Sequence, residues 1–119
     1  MYKILALAAL GIATFAQAEA DLACFESSAN KRTYCIDRHE ARVSANTRAA
    51  VLYALDEAKA AQPAGLSLIA NCETKKTGLL NADGKDITDG RSPSPVAEAL
   101  AKNLCEVAKP KNDPTLPLF

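Results

Sequence analysis

The sequence has 119 residues, with 14 lysines and arginines against 14 aspartates and glutamates, and four cysteines. This length is that of a single domain with a modest core. The even charge balance argues against nucleic acid as a partner, because binding phosphates requires a clear excess of basic residues.

The first eighteen residues predict a secretory signal peptide. Lys3 precedes an apolar run that is too short to span a bilayer, and small residues, Ala16 and Ala18, stand at −3 and −1 from the expected cleavage point. Cleavage after Ala18 leaves a nearly neutral chain with no further apolar run to anchor it in a membrane. We therefore expect a periplasmic or secreted protein, and the alanine-rich leader is typical of bacteria.

The mature chain begins with a predicted loop and a predicted long helix. Residues 19–35 lack periodicity and are bracketed by Cys24 and Cys35. From Ile36 to about Ala61 the apolar residues recur at steps of three, four and seven, which predicts an α-helix. A proline and a glycine at 62–65 predict where this helix ends.

A small sheet is predicted next. Leu66–Thr74 alternates between apolar and polar residues, and Thr77–Asn81 forms a second short strand. Asp83 and Gly84 are a strong hairpin signal leading to a third strand, Lys85–Thr88. These segments predict a three-stranded antiparallel meander.

A second, shorter helix is predicted after Pro93. Ser94 can cap it and Pro95 suits its first position, where no N–H is needed. The three prolines of residues 110–119 predict a mobile tail, so that the single domain spans 19–109. The predicted buried stripe of the helix is Val96, Ala97, Leu100, Ala101, Leu104 and Ala108.

These elements predict an α+β fold, in which both helices pack on one side of the sheet. The predicted core is Val43, Val51, Leu55, Leu100 and Leu104 packed against Leu66, Leu68, Ala70 and Leu79.

All four cysteines lie beyond the signal peptide, where an oxidising compartment favours disulfides. Three pairings exist. We favour Cys24–Cys35 with Cys72–Cys105, because the first closes a short loop and the second joins helix to sheet. The alternative, Cys24–Cys72 with Cys35–Cys105, remains open. The absence of a C-x-x-C motif and the single histidine argue against a zinc or redox site.

No catalytic, cofactor or metal site is expected from the motifs. A small periplasmic hydrolase or lyase could use His39 with a neighbouring carboxylate, but adjacent helical positions point apart. The acidic run after Asn81 fails the calcium-loop pattern, since Leu79 and Gly90 would occupy positions that require carboxylates. We therefore expect a protein that is not an enzyme.

The sequence features that suggest a function lie on the predicted surface. A basic cluster surrounds the first loop and the early helix, and it is either an ordinary charged exterior or a docking face for an acidic protein or an anionic envelope component. The Pro-rich tail could be a second docking element. The sequence thus predicts a non-catalytic protein-binding module of the inhibitor, immunity or accessory type, with a structural envelope component as a further alternative. The predicted docking face consists of Lys31, Arg32, Arg38, Arg42 and Arg48.

Overall fold

The structure, a computed structural model, describes residues 20–89, 91 and 93–119, so the predicted signal peptide lies outside the described residues. In this part of the chain seven strands form one sheet, and a single α-helix packs on it. The elements are β1 (Leu22–Glu26), β2 (Thr33–Asp37), β3 (Arg42–Ser44), β4 (Thr47–Leu55), β5 (Ala61–Asn71), β6 (Lys76–Leu80), α1 (Pro95–Cys105) and β7 (Lys111–Asn112).

The sheet is an antiparallel meander with one interrupted strand. Both β2 and β3 pair with β4, β2 along its second half and β3 along its first half. A 3₁₀ turn, Arg38–Glu40, lies between them and bulges out of the ladder. On one side of β4, β1 extends the sheet by pairing with β2. On the other side of β4 lies β5, and β6 pairs with β5. The short β7 lies parallel to β3.

The predicted α+β fold is wrong, because the segment from Ile36 to Ala61 forms strands instead of a long helix. In β4, Ala50 and Leu52 belong to the core that includes α1, whereas Ala49 belongs to a cluster on the opposite face. A strand covered on both faces is apolar almost throughout, so its periodicity resembles that of a buried helix. Pairing with strands on both sides then outweighs the helical preference of its alanines.

The residues that predicted a helix end lie inside β5. The pairing of β4 with β5 shifts register between Val51 and Tyr53, and Gly65 lies in the bulge with φ +78°. A glycine adopts this left-handed conformation without steric cost. Pro63 pairs with Tyr53 beyond the stretch where β6 joins β5, so the strand can tolerate its missing N–H.

Two smaller predictions are also wrong. The predicted loop at 19–35 contains the β1–β2 hairpin, in which Cys24 lies directly opposite Cys35. The predicted third strand of the meander is reduced to one isolated bridge between Leu80 and Asp86. Short strands with mixed polarity carry little periodic signal, which explains both errors.

The C-terminal helix begins where the sequence places it but ends at Cys105, so Ala108 of the predicted stripe lies beyond the helix and is exposed. Ser94 is its N-cap, and the Ser94 Oγ accepts a hydrogen bond from the Ala97 N–H at 3.1 Å. Leu100 and Leu104 are fully buried, and Ile36 and Leu68 belong to the same core. Of the predicted core, Leu68, Ala70, Leu100 and Leu104 are buried, while Val43, Val51, Leu55, Leu66 and Leu79 are half-buried.

The favoured disulfide pairing is confirmed. One bridge, Cys24–Cys35, joins β1 to β2, and the other, Cys72–Cys105, joins the end of β5 to the end of α1. No cysteine is free among the residues described. The second bridge therefore fixes the helix to the sheet, as the sequence predicts.

The face of the sheet opposite α1, called here the second face, is partly covered by the C-terminal segment. Leu116 is only 9% exposed and clusters with Ala49, Ile69 and Leu80, and Phe119 packs against this cluster. The residues for which the sequence predicts a mobile tail thus lie against the sheet in the structure.

Candidate binding surface

The five basic residues of the predicted docking face occupy different surroundings. Lys31 and Arg32 lie in the turn between β1 and β2 and are exposed. The guanidinium of Arg32 lies 5.9 Å from the centroid of the Tyr34 ring. These two side chains remain available to a partner.

The other three arginines make internal contacts. Arg38 Nη2 donates to Asp21 Oδ1 at 2.9 Å, and Arg42 Nη1 donates to Asp113 Oδ2 at 3.0 Å. Arg48 Nη1 donates to the carbonyl oxygens of Leu104 and Val107 at the end of α1.

The register places Arg42 and Arg48 on opposite faces. Arg42 pairs with Ala49, the residue that follows Arg48 on β4, and successive strand residues point to opposite sides. The five basic residues therefore do not share one face.

Arg38 and His39 line a cleft that the sequence does not foresee. Its volume is about 660 Å³, and it lies between the 3₁₀ turn and the chain that follows α1. The Nε of Arg38 is buried and has no hydrogen-bond partner among the described residues. The charged side chains and the histidine of the cleft are Asp21, Arg38, His39, Glu106, Lys109 and Lys111.

The carboxylates near His39 in sequence, Asp37 and Glu40, make hydrogen bonds of their own. Asp37 Oδ1 accepts hydrogen bonds from the backbone N–H groups of His39 and Asp21 at 3.0 and 3.1 Å. Both carboxylate oxygens of Glu40 accept from the Tyr53 hydroxyl. Among the described residues, the hydrogen bonds of the Asp37 and Glu40 carboxylates thus go to backbone N–H groups and to Tyr53.

The acidic run after Asn81 is a turn stabilised by its own side chain. Asn81 Oδ1 accepts from the N–H groups of Asp83 and Lys85 at 2.9 and 3.0 Å, in the manner of an Asx turn. A search of the described residues finds no group of three or more His, Cys, Asp or Glu side chains that could hold a metal ion.

A second cavity, of about 620 Å³, lies between α1 and the β5–β6 hairpin. The Cys72–Cys105 disulfide forms part of its wall. Charged residues of both signs line it, and they are Lys75, Lys76, Lys102, Glu98 and Glu106.

The part of the second face that the C-terminal segment leaves uncovered carries an apolar patch. Cys35 pairs with Tyr53 and with Cys24, so these side chains share this face, and Val51 and Leu55 flank Tyr53 on it. Val51, Tyr53 and Leu55 are half-buried, and Leu22 is 38% exposed. We call Leu22, Cys24, Val51, Tyr53 and Leu55 the open patch.

Tyr53 is the polar anchor of the open patch. Its hydroxyl donates to Glu40 Oε1 and Oε2 at 2.9 and 3.0 Å. Burial raises the pKa of the Tyr53 phenol above its ordinary value of 10.0, and the hydrogen bond and the charge of Glu40 raise this pKa further. The ring is therefore fixed as a neutral, half-buried platform.

The open patch does not follow from the predicted fold, in which Val51 and Leu55 lie on one face of a helix that packs on the sheet. A signal for a strand is nevertheless present, since Val51–Leu55 contains a β-branched and an aromatic residue. The alternative assignment as a strand places Val51, Tyr53 and Leu55 on one face at a period of two.

In the described residues, no helix combines the length and the apolar character needed to cross a membrane. Comparison of the chain with protein-family models, with curated proteins and with solved structures finds no match.

Proposed function

We propose that this chain is a non-catalytic, disulfide-stabilised protein-binding module of the periplasm or the extracellular space, and that it binds its partner through the open patch. The observation that carries the proposal is the incomplete cover of the second face. Half-buried Val51, Tyr53 and Leu55 lie side by side there, outside the cluster under the C-terminal segment. Interface cores are enriched in aromatic residues such as Tyr53 and depleted of charge, and apolar neighbours such as Val51 and Leu55 exclude water around the aromatic residue.

Export is supported by the covalent framework. Two disulfides link four cysteines within the described chain, and such bonds persist in oxidising compartments. They also give a small domain a rigid surface, which lowers the entropy lost when a partner binds.

The proposal is tested by capture from envelope extracts with variants of the patch. Val51→Glu and Leu55→Glu each place a charge on the open patch, and each is expected to weaken retention of the partner by at least about 30-fold, the effect of a hot-spot residue. Lys31→Glu and Arg32→Glu, in the exposed β1–β2 turn, are the matched controls. If the control variants lose the partner and the patch variants keep it, the open patch is not the interface.

A second candidate function is the binding of an anionic envelope polymer in the cleft that contains Arg38 and His39. The specific observation in its favour is that Lys109 and Lys111 line this cleft together with Arg38. Co-sedimentation with an anionic polysaccharide distinguishes the two candidates. Lys109→Gln and Lys111→Gln reduce sedimentation only if the cleft is the binding site, whereas Val51→Glu leaves it unchanged.

A further inference from the structure

The C-terminal segment, Pro114–Phe119, covers the region next to the open patch. Its Leu116 is buried against Ala49, Ile69 and Leu80. Ala49 precedes Val51 by two residues on β4, so the two side chains are consecutive on the same face. The covered cluster and the open patch therefore form one continuous surface.

The ring of Phe119 lies in a cradle that depends on the missing side chain of Gly78. A Cβ placed on Gly78 would lie 2.7 Å from Phe119 Cζ and 2.8 Å from Thr88 Oγ1, closer than real contacts allow. On another side, Lys76 Nζ lies 4.4 Å from the ring centroid, within the range of a cation–π interaction. The cradle thus fits an aromatic side chain in both shape and charge.

The segment has few attachments besides its two apolar side chains. The Asp113 N–H donates to the Val43 carbonyl at 2.8 Å, and this is the last backbone hydrogen bond to the sheet among the described residues. Beyond it, the Leu116 N–H donates to the Asp113 carbonyl and the Thr115 N–H to the Asp113 carboxylate, and neither bond reaches another strand. The two prolines have no N–H to donate, and Leu118 is 99% exposed. The segment can therefore leave the sheet without breaking the ladder.

We propose that the cradle at Gly78 and Lys76 is a docking site for an aromatic side chain of the protein partner, and that Phe119 fills it in the free protein. This inference rests on the proposed function and names the partner's chemistry: an extended apolar segment that carries Phe or Tyr. Such a segment runs from the open patch onto the region that the C-terminal segment vacates.

Competition between Phe119 and the aromatic residue of the partner for the cradle sets the affinity for the partner. The apparent affinity for the partner falls in proportion to the fraction of molecules in which the cradle is free. If Phe119 occupies the cradle in 90–99% of molecules, its removal strengthens partner binding by about 10–100-fold.

The test uses the full chain with Leu116→Ala and Phe119→Ala, which empties the cradle. The probe is a peptide with the sequence of residues 114–119, Pro-Thr-Leu-Pro-Leu-Phe, added to labelled protein while the amide NMR signals are followed. We expect saturable binding with shifts at Ile69, Lys76 and Gly78, and binding at least about tenfold weaker in the unaltered protein. The same peptide with alanine in place of phenylalanine is the matched control.

Adding Gly78→Ala to the double variant fills the cradle and abolishes peptide binding. If that variant does not fold, Lys76→Gln in the double variant removes the cation beside the ring and weakens binding instead. The inference is overturned if the folded double variant does not bind the peptide at millimolar concentration, or if the alanine peptide binds equally well. In that event, loss of partner capture with Val51→Glu still upholds the proposed function. If the peptide binds but Val51→Glu does not weaken partner capture, the proposed function is wrong and only the aromatic docking site at the cradle is supported.

Discussion

Replacing Arg48 by Met tests how the end of α1 is held on the sheet. The Arg48 Nη1 donates to the carbonyl oxygens of Leu104 at 3.1 Å and of Val107 at 2.7 Å. Leu104 lies in the last turn of α1 and Val107 lies two residues beyond its end, so this guanidinium ties both the helix end and the chain that follows it to β4. Met keeps the apolar stem of the side chain and removes only its donors and charge.

The magnitude follows from these two contacts. A hydrogen bond from a charged group contributes about 1.5–3 kcal/mol, and a cation at a helix C-terminus adds about 0.3–1 kcal/mol. Because Arg48 is half-buried and water can replace part of the contact, we expect Arg48→Met to lower the free energy of unfolding by about 2–3 kcal/mol. This is a large share of the roughly 5–15 kcal/mol of a small domain.

Urea denaturation of the oxidised protein, followed by circular dichroism, measures the effect. With a slope of about 1–2 kcal/mol per M, the midpoint is expected to fall by about 1–3 M. Arg48→Lys keeps the charge but cannot present the same donors. Its midpoint is therefore expected to lie between those of the unaltered protein and of Arg48→Met. Arg32→Met is the matched control, because the Arg32 side chain is exposed and its guanidinium lies 5.9 Å from the centroid of the Tyr34 ring.

A loss of less than about 0.5 kcal/mol for Arg48→Met, the level of an ordinary surface substitution, would refute this reasoning. Arg48 would then be free for the partner contact that the sequence predicts for it. A loss as large in the Arg32 control would show that removal of any basic residue is the cause.

Three further predictions concern the strands, the C-terminal segment and the disulfides. Hydrogen bonds from Thr115, and then the Arg42 guanidinium, lower the pKa of the Asp113 carboxyl below 3.8. The stability that these contacts of Asp113 contribute is therefore present above pH 3.8 and is lost as the pH falls through the lowered pKa. We expect the ring-current shift that Phe119 imposes on its neighbours to decrease in that acid range, and Asp113→Asn to reduce it already at neutral pH. In a Tyr34→Phe background, absorbance titration is expected to find the Tyr53 phenol ionising above pH 10, with Glu40→Gln bringing its pKa down. Replacing both cysteines of the β5–α1 bridge, whose loop spans 33 residues, should cost about 4 kcal/mol, against about 3 kcal/mol for the 11-residue loop of the β1–β2 bridge.

Each of these predictions has a contrary outcome. A Phe119 ring-current shift that is unchanged between neutral pH and pH 2 would mean that Asp113 does not help to hold the segment. Ionisation of Tyr53 at its ordinary pKa would mean that the phenol is solvated and not bound to Glu40. Equal losses for the two cysteine pairs would contradict the loop-length argument.

The sequence predicts the features that depend on neighbouring residues or on covalent chemistry. Ser94 and Pro95 mark the start of α1, because a capping hydroxyl and a residue without N–H suit only that place. The stripe that includes Leu100 and Leu104 then follows from helical periodicity. The disulfide pairing follows from four cysteines, of which two lie close together in sequence and two lie on segments that must pack together.

The central strand could not be predicted in the same way. The Ala49 and Ala50 side chains are buried on opposite faces of β4, so the pattern that normally separates a strand from a helix is absent. The cover on one face comes from α1, about 50 residues later, and on the other from Leu116, still later in the chain. No window of local sequence contains this information.

The open patch and the cradle also depend on contacts between segments that are distant in sequence. Val51, Tyr53 and Leu55 become neighbours on one surface only when β4 is a strand, and the cradle at Gly78 exists only because Phe119 returns to the sheet. The sequence by itself determined the C-terminal helix, the cysteine framework and the Asn81 turn, since each depends on local or covalent constraints. The tertiary structure alone decided that β4 is a strand and which of its side chains stay uncovered, because burial on both faces is set by segments distant in sequence.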